Sequence, residues 1–589
     1  MRPALCVLAW GCTSPLGSPS TELGQVRLVL EHGWNTQPWS ANAAPRSKHI
    51  NLTGTLTLPA SLPRQGAVLE LSGAWRRVQV TVNQTELAPV DGGLTVAELA
   101  VGPHLKAGEN TISVRISPPE SPRSIAAGGT LSSEGFPAGR AQLLAPPELV
   151  LRPSVHLSDA MVSTEADGVR ARARVTGATK AGEEVSFTAL MPDGRSLSLG
   201  SASVEDGWAS APTTAWTNAR WSPLEQGQDA LFSLRATLLS ASGKPLDQLT
   251  TRTAVRSIEA NGEGLRLNGS PLRLLGLRTV PSPKRPTLGH YLHDLRASGL
   301  NAIELHGDIA LDSWLDDADE LGLPVVVVPR CAGRTDETEV AGLDAEMDAL
   351  LRRLTRHPSV VLLASDPAGA VLPALSRTVQ ASGWPRPPMA GVELDALVLK
   401  VPLQAAPQPS EAAGAARCYP KDCRGWIVEA TPAWKRLPRP ERDQLTETER
   451  WQPMGAAWLS AREMNAIGGI FPQLESGRDP SLHPVWSAAV RQAAQAFQIT
   501  PLDRKRRAPS RVRVAGATPG AVVVARTADG RTAGALADPT GVAELSLWGA
   551  GAVSLSSDGK RAEAMLTPSV WSDLQEQPAA VSVTLAPAP

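Results

Sequence analysis

LNGSPLRLLGLR from Leu267 to Arg278, YLHDLRASGLNAIELHGD from Tyr291 to Asp308, and SWLDDADELGLPVVVV from Ser313 to Val328 decide the fold. They read as three short apolar strands with two helix-length amphipathic segments between them. Strands that alternate with helical segments of this length predict parallel pairing, because only a crossover helix returns the chain to the same end of a sheet. The pattern is the opening of a parallel α/β barrel.

Outward from that stretch, 589 residues exceed what one hydrophobic core supports and imply several domains. A formal net charge of −1 argues against a nucleic-acid footprint. The longest basic run, Asp503 to Arg507 (DRKRR), reads as a linker. Sixteen Trp against two Tyr and five Phe are unusual. Flat indole faces serve as platforms for sugar rings, although most large aromatics in any chain are buried in cores. Five Cys are too few for a disulfide scaffold.

The wording of the barrel segment is more specific than its periodicity. An Asn-Gly turn feeding a first strand, a helix ending Gly299-Leu300-Asn301-Ala302, and the DELG stop at Asp319 to Gly322 resemble glycoside hydrolase family 2. Two upstream regions carry the same resemblance. Gln25 to Pro118 alternates apolar and polar residues. Its Val80-Thr81-Val82-Asn83 and Lys106-Ala107-Gly108-Glu109-Asn110-Thr111-Ile112 resemble the family's sugar-binding jelly-roll domain. Trp221-Ser222-Pro223, the alternating Leu231 to Leu238, Asp247, and Val255 to Ile258 resemble its immunoglobulin-like domain and the exit into the barrel. The implied fold is multidomain. Residues 1–24 are a signal segment and tether, 25–150 a jelly roll, 151–259 an immunoglobulin-like β-sandwich, and 260–500 a (β/α)8 TIM barrel. Residues 501–589 form a small accessory β domain.

Active sites of such barrels lie at the C-terminal ends of the strands. Strand four is expected at Val360 to Leu363, strand six at Ala396 to Val401, strand seven at Trp426 to Glu429 and strand eight at Ile467 to Phe471. Retaining glycoside hydrolysis needs two carboxyl groups about 5–5.5 Å apart, one as nucleophile and one as acid/base. The resemblance places the nucleophile at Glu429. Where the family carries Asn and the acid/base Glu, this chain reads HPSVVLLASDPAGA from His357 to Ala370, with Pro367 and Ala368 at those positions. Asp366 lies near but is shorter and about two residues early. Glu304 and His306 stand where the family has an Arg and a His one residue later. Strand six ends Lys400-Val401-Pro402 in place of an Asn-x-Tyr pattern, and GGIFPQLESG lacks the family's Trp. Trp434 and Trp426 bracket Glu429 as candidate sugar platforms.

The expectation is a carbohydrate-active envelope protein, catalytically degenerate, that binds a glycan or braces a surface assembly. The alternatives are an active retaining exo-β-glycosidase using Glu429, and a purely structural protein. No metal or cofactor motif competes. His290 and His293 share a helix face without a further ligand at metal spacing, and Cys331 reads as an inert core thiol. Leu8 to Cys12 resembles a lipoprotein box, with Cys12 the lipidated residue and a Ser/Pro run behind it. The expected location is therefore the bacterial envelope, with membrane attachment only through that lipid. Cys418 and Cys423 are a candidate disulfide in such a compartment.

Overall fold

The computed structural model describes residues 24–30, 49–74, 77–91, 96–117, 145–165, 167–223, 230–261, 264–274, 276–279, 300–306, 312–328, 350–363, 398–403, 427–432, 507–508, 510–548, 551–566, 569–570 and 581–587, with isolated positions 141, 143 and 348. These residues are mostly β-strand, arranged as several sheets. The described helices are Asp312–Leu321, residues 350–355 and the 3-10 turn Gly102–His104.

The first sandwich packs two sheets over one core. One sheet has the order Ile50–Leu58, Gly108–Ser117, Arg77–Val82, Thr85–Glu86, with Val90–Asp91 on the outer edge of Arg77–Val82. Arg77–Val82 and Thr85–Glu86 are joined by a two-residue turn. Asn83 (φ 47°) and Gln84 (φ 71°) both adopt the left-handed conformation that matches strand twist in such hairpins. The two sequence signatures of this region meet there. The Asn83 amide donates to Asn110 Oδ1 at 2.9 Å and to the His104 carbonyl at 2.9 Å. Buried Asn110 donates in turn to the Lys106 and Gly108 carbonyls at 2.8 and 2.9 Å. A buried amide needs all of these partners, which explains why Asn is required at both motif ends.

Among the described residues the opposing sheet has nine strands, and it draws on early and late parts of the sequence. Ala97–Ala100, Val68–Leu71, Glu148–Leu151 and Val26–Val29 run antiparallel; Val26–Val29 then pairs in parallel with Thr532–Leu536. Val522–Thr527, Gly551–Ser557, Lys560–Leu566 and Ala586–Pro587 complete it. Val522, Val524 and Leu536 enter the same core as Leu28, Leu69, Val80, Ile112 and Leu149.

The second sandwich faces His156–Glu165, Gly168–Thr176 and Trp208–Ser210 against Ser196–Ser203, Glu184–Leu190, Phe232–Leu239 and Pro245–Thr253. Phe187, Phe232, Leu234 and Trp216 fill its core. Asp247, buried, accepts from the Leu157 amide at 2.8 Å and from Gln25 Nε2 at 3.1 Å, tying this sandwich to the residue that precedes the strand Val26–Val29. The C-terminal strands also reach it, since Ser233 Oγ donates to Asp529 Oδ2 at 2.5 Å and Arg235 donates to the Asp529 carbonyl at 3.0 Å.

The meander Ile258–Asn261, Gly264–Leu267, Ser270–Pro271 leads onward. The Asn-Gly pair expected to turn the chain does so, with Asn268 at φ 50° and Gly269 at φ 80°. Asn268 Oδ1 accepts from the Ser257 amide at 3.0 Å and its Nδ2 donates to the Trp221 carbonyl at 2.8 Å. Beyond it, Gly276–Thr279, Ala302–His306, Val325–Val328 and Val360–Leu363 pair in consecutive parallel order, as the alternation of strands and helical segments predicts. Helix Asp312–Leu321 makes the crossover between the second and third of these strands. It buries Trp314, Leu315, Ala318 and Leu321, and ends at Gly322 (φ 62°), where the Leu323 amide donates to the Ala318 carbonyl at 2.9 Å. A separate parallel pair, Val398–Leu403 and Ile427–Pro432, follows.

Candidate functional site

The C-terminal ends of the parallel strands are the place for chemistry, and two of the predicted residues lie on the strand Ala302–His306. Side chains alternate along a strand, so Ala302 and Glu304 share a face. Ala302 packs in a core cluster with Leu274, Val326 and Leu362. Glu304 is 0% exposed, with Arg278 and Val326 as its register partners on the flanking strands. His306 is the last residue of its strand, level with Val328. Glu304 is thus a buried residue beneath the strand end, whereas His306 stands at that end.

Glu429 lies in the strand Ile427–Pro432, and its register partner on the neighbouring parallel strand is Lys400. Both strands extend slightly further than their apolar runs suggested, to Leu403 and Pro432. Asp366, Trp426, Trp434, Cys12, Cys418, Cys423, Cys331, His290, His293 and the expected strand eight lie outside the described residues.

Among the described residues, a dense group of ionisable side chains sits at the opposite end of the sheet, drawn from two separate phrases of the sequence, DELG at Asp319 and His357-Pro358-Ser359. His357 precedes the strand Val360–Leu363, and Asp319 lies in the last turn of the helix Asp312–Leu321 that precedes Val325–Val328, so both belong to the N-terminal side of the strands. His357 Nδ1 meets Asp319 Oδ2 at 2.7 Å, and the Ser359 amide donates to Asp319 Oδ1 at 2.8 Å. Asp312 pairs with Arg353 and Arg356. Burial opposes charge on His357, but Asp319, Asp312 and Asp316 outweigh it and raise the imidazole pKa to about 9. Burial opposes charge on Asp312 as well, yet Arg353 and Arg356 hold its carboxyl well below the usual range.

Asp316, Asp319 and His357 stand close enough together to surround a cation. The chemistry of the donors is against it. His357 Nδ1 is taken up by Asp319, both Asp319 oxygens already accept hydrogen bonds, and the Arg356 guanidinium beside His357 adds positive charge.

The cluster instead clamps the second sandwich to the parallel sheet. Trp221 Nε1 donates to the Asp319 carbonyl at 3.1 Å. Arg256 donates to the His357 and Val360 carbonyls at 3.1 and 2.8 Å, and Arg252 Nε meets Glu320 at 2.9 Å. These contacts join the sandwich to the sheet at the N-terminal side of the parallel strands.

No family model matches the chain. An exo-β-D-glucosaminidase of Streptomyces avermitilis is 28% identical over 369 residues, 55% of this chain and 40% of that protein. One from Amycolatopsis orientalis is 25% identical over 336 residues, 50% of this chain and 32% of the relative. The chain therefore spans less than half the length of these curated relatives. Among solved structures, a Bifidobacterium dentium β-glucuronidase complexed with coumarin-3-O-glucuronide matches with a TM-score of 0.63 at 14% identity, over 81% of this chain and 98% of that one. The sequence matches and the shared fold agree with the motifs at Asn83, Asn110, Asn268 and the DELG stop, and the chain is a glycoside hydrolase family 2-like protein.

Proposed function

We propose that this is a carbohydrate-active protein of the bacterial envelope that binds a glycan in the mouth of a (β/α)8 barrel without hydrolysing it. The observation that carries the proposal is the residue inventory of the strand ends. Glu429 is kept on the strand Ile427–Pro432, but HPSVVLLASDPAGA has no Glu from His357 to Ala370 to act as its acid/base partner. Loss of a general acid alone costs a factor of about 10²–10⁴ in rate. Four consecutive parallel strands and a second parallel pair support the barrel, since both belong in an eight-stranded ring. The curated relatives' name, exo-β-D-glucosaminidase, and the glucuronide held by the structural neighbour support a sugar ligand.

In this reading Trp434, two residues beyond the strand Ile427–Pro432, is the stacking platform. Trp426, just before the strand, is the second platform. His306 and Glu429 supply polar contacts, Glu304 supports them from below, and Asp366 is the remaining carboxyl on the strand-four loop. Leu8 to Cys12 would attach the protein to the membrane through lipidated Cys12, and Cys418 and Cys423 would pair.

A glycan array followed by titration of Trp434→Ala and Glu429→Gln tests the proposal. Weakened binding in both variants, with the transition to the unfolded state unchanged, supports it. Binding that survives both changes and disappears only on deleting residues 25–150 moves the site to the first sandwich and refutes it. Turnover of an aryl β-glycoside abolished by Glu429→Gln restores the hydrolase reading. Detergent partitioning of wild type against Cys12→Ser tests the tether.

A further inference from the structure

The two β-sandwiches are joined by a short linker, residues 152–155, between the strands Glu148–Leu151 and His156–Glu165. It is gripped from both sides. Arg152 Nε donates to the Gly66 carbonyl at 2.7 Å, and the Gly66 amide donates back to the Arg152 carbonyl at 2.9 Å. A Cβ on Gly66 would stand 2.1 Å from the Pro153 carbonyl oxygen, so this loop of the first sandwich lies directly on the linker. From the second sandwich Gly177, at φ 108°, comes as close: its Cβ would stand 2.4 Å from the Ser154 carbonyl oxygen. The residue before it, Thr176, is the register partner of His156.

His156 completes this grip, and its contacts fix its charge state. Nδ1 lies 2.9 Å from the Pro153 carbonyl oxygen. A carbonyl can only accept, so Nδ1 carries the hydrogen, and in the neutral ring Nε2 is left as a bare acceptor. The residue is 4% exposed, and Nε2 is buried with no hydrogen-bond partner among the described residues. A second proton would make it a charged donor with nothing to receive it. The charges around the ring add to that cost. Arg152 stands beside it on the linker, residues 62–67 bring Arg64 and no carboxyl, and Thr176 across the ladder is uncharged. Asp159 on the same strand, and Glu70 and Glu98 of the first sandwich, act on Arg152 and not on the imidazole. Burial first, then Arg152, push the His156 pKa down to about 4, against the pull of the Pro153 and Ser154 carbonyls.

We propose that His156 is an acid-operated latch between the two sandwiches: neutral, it seats the linker between Gly66 and Gly177, and protonation at Nε2 releases it. Opening exposes the ring to water, where it regains the ordinary pKa of 6.5. The latched state binds the proton less tightly than the open one, so its stability is intact above pH 6.5 and falls as pH drops towards 4. Asp159, pushed up to about 6 by burial, takes its proton over the same range with the opposite sign, so the test compares proteins that differ at position 156 alone. The latch lies outside the barrel and does not depend on a glycan.

The test is amide hydrogen exchange of the full chain between pH 7 and 4, corrected for intrinsic rates, on wild type and His156→Asn. The Asn amide can still donate to the Pro153 carbonyl but takes no proton. Opening at the Gly66 amide should rise about 100-fold more on acidification in wild type than in the variant, while the core strand Glu184–Leu190 keeps its protection. An equal acid response in the two proteins, or loss of protection at Gly66 and the core strand together, overturns the proposal. If His156→Asn does not fold, exchange of the imidazole C2 hydrogen in wild type decides. A His156 midpoint near 4 upholds the latch, and one at 6.5 or above overturns it.

Discussion

Replacing Asp319 by Asn removes one charge from a buried network while keeping the shape of the side chain, and its cost can be worked out from the contacts. Asp319 is 3% exposed; it holds His357 Nδ1 at 2.7 Å and the Ser359 amide at 2.8 Å. Against burial, the surrounding carboxylates raise the His357 pKa from 6.5 to about 9. That shift is equivalent to about 3 kcal/mol of stability. The sign follows from the direction. The folded state binds the proton more tightly, so the contribution is fully present below pH 6.5 and is lost as pH rises through about 9. In Asp319→Asn only the more distant Asp312 and Asp316 oxygens, 3.8 and 3.7 Å from His357, remain to hold the imidazolium. The variant should be less stable by about 3 kcal/mol at pH 6.5, in the range for breaking a buried ion pair. It should also lose much of the decline between pH 7 and 9.5. Urea unfolding followed by tryptophan fluorescence reads the relevant transition, because Trp221 donates to the Asp319 carbonyl and Trp314 is fully buried on the same helix. A wild-type midpoint that stays flat from pH 7 to 9.5, or an Asn variant with the same slope, would refute the reasoning.

Two further perturbations test how the sheets are joined. A Cβ built on Gly534 would run into the Leu28 side chain across the parallel pairing, so Gly534→Val should cost about 1–3 kcal/mol by overpacking. Combining it with Leu28→Ala should cost less than the two separate losses added together. Strict additivity in urea midpoints would deny the contact. Asn110→Ala strands the Asn83 amide and the Lys106 amide at a buried turn; a loss of about 1–3 kcal/mol is expected, and a thermal transition unchanged from wild type would contradict the network.

Where the fold was legible, the signal was local. Asn268-Gly269 and Asn83-Gln84 adopt the left-handed turns their positions demand. The apolar runs at Ala302–His306, Val325–Val328 and Val360–Leu363 are long enough for buried parallel strands and too short for helices. The two strands that ran past expectation do so because their ends pair, Pro402 with Thr431 and Leu403 with Pro432, where apolar composition alone gave no reason to continue. The long-range features left no such trace. Thr532 donates to the Gln25 carbonyl across 507 positions, and nothing in VRLV at Val26–Val29 names its partner. Likewise His357 and Asp319 lie 38 positions apart; each sits in a recognisable phrase, but only packing of the helix Asp312–Leu321 on the sheet brings them together. Of the site, Glu304, His306 and Glu429 were placed on strands by pattern.

In the proposed function Glu429 is kept without an acid to serve it. A cyclophellitol aziridine probe tests this directly, because ring opening requires both a carboxylate nucleophile and protonation of the departing nitrogen. Intact-mass spectrometry after incubation with neutral and carboxylated forms of the probe should show unmodified protein. A single adduct that maps to Glu429 and vanishes in Glu429→Gln would contradict the account and establish a working retaining glycosidase.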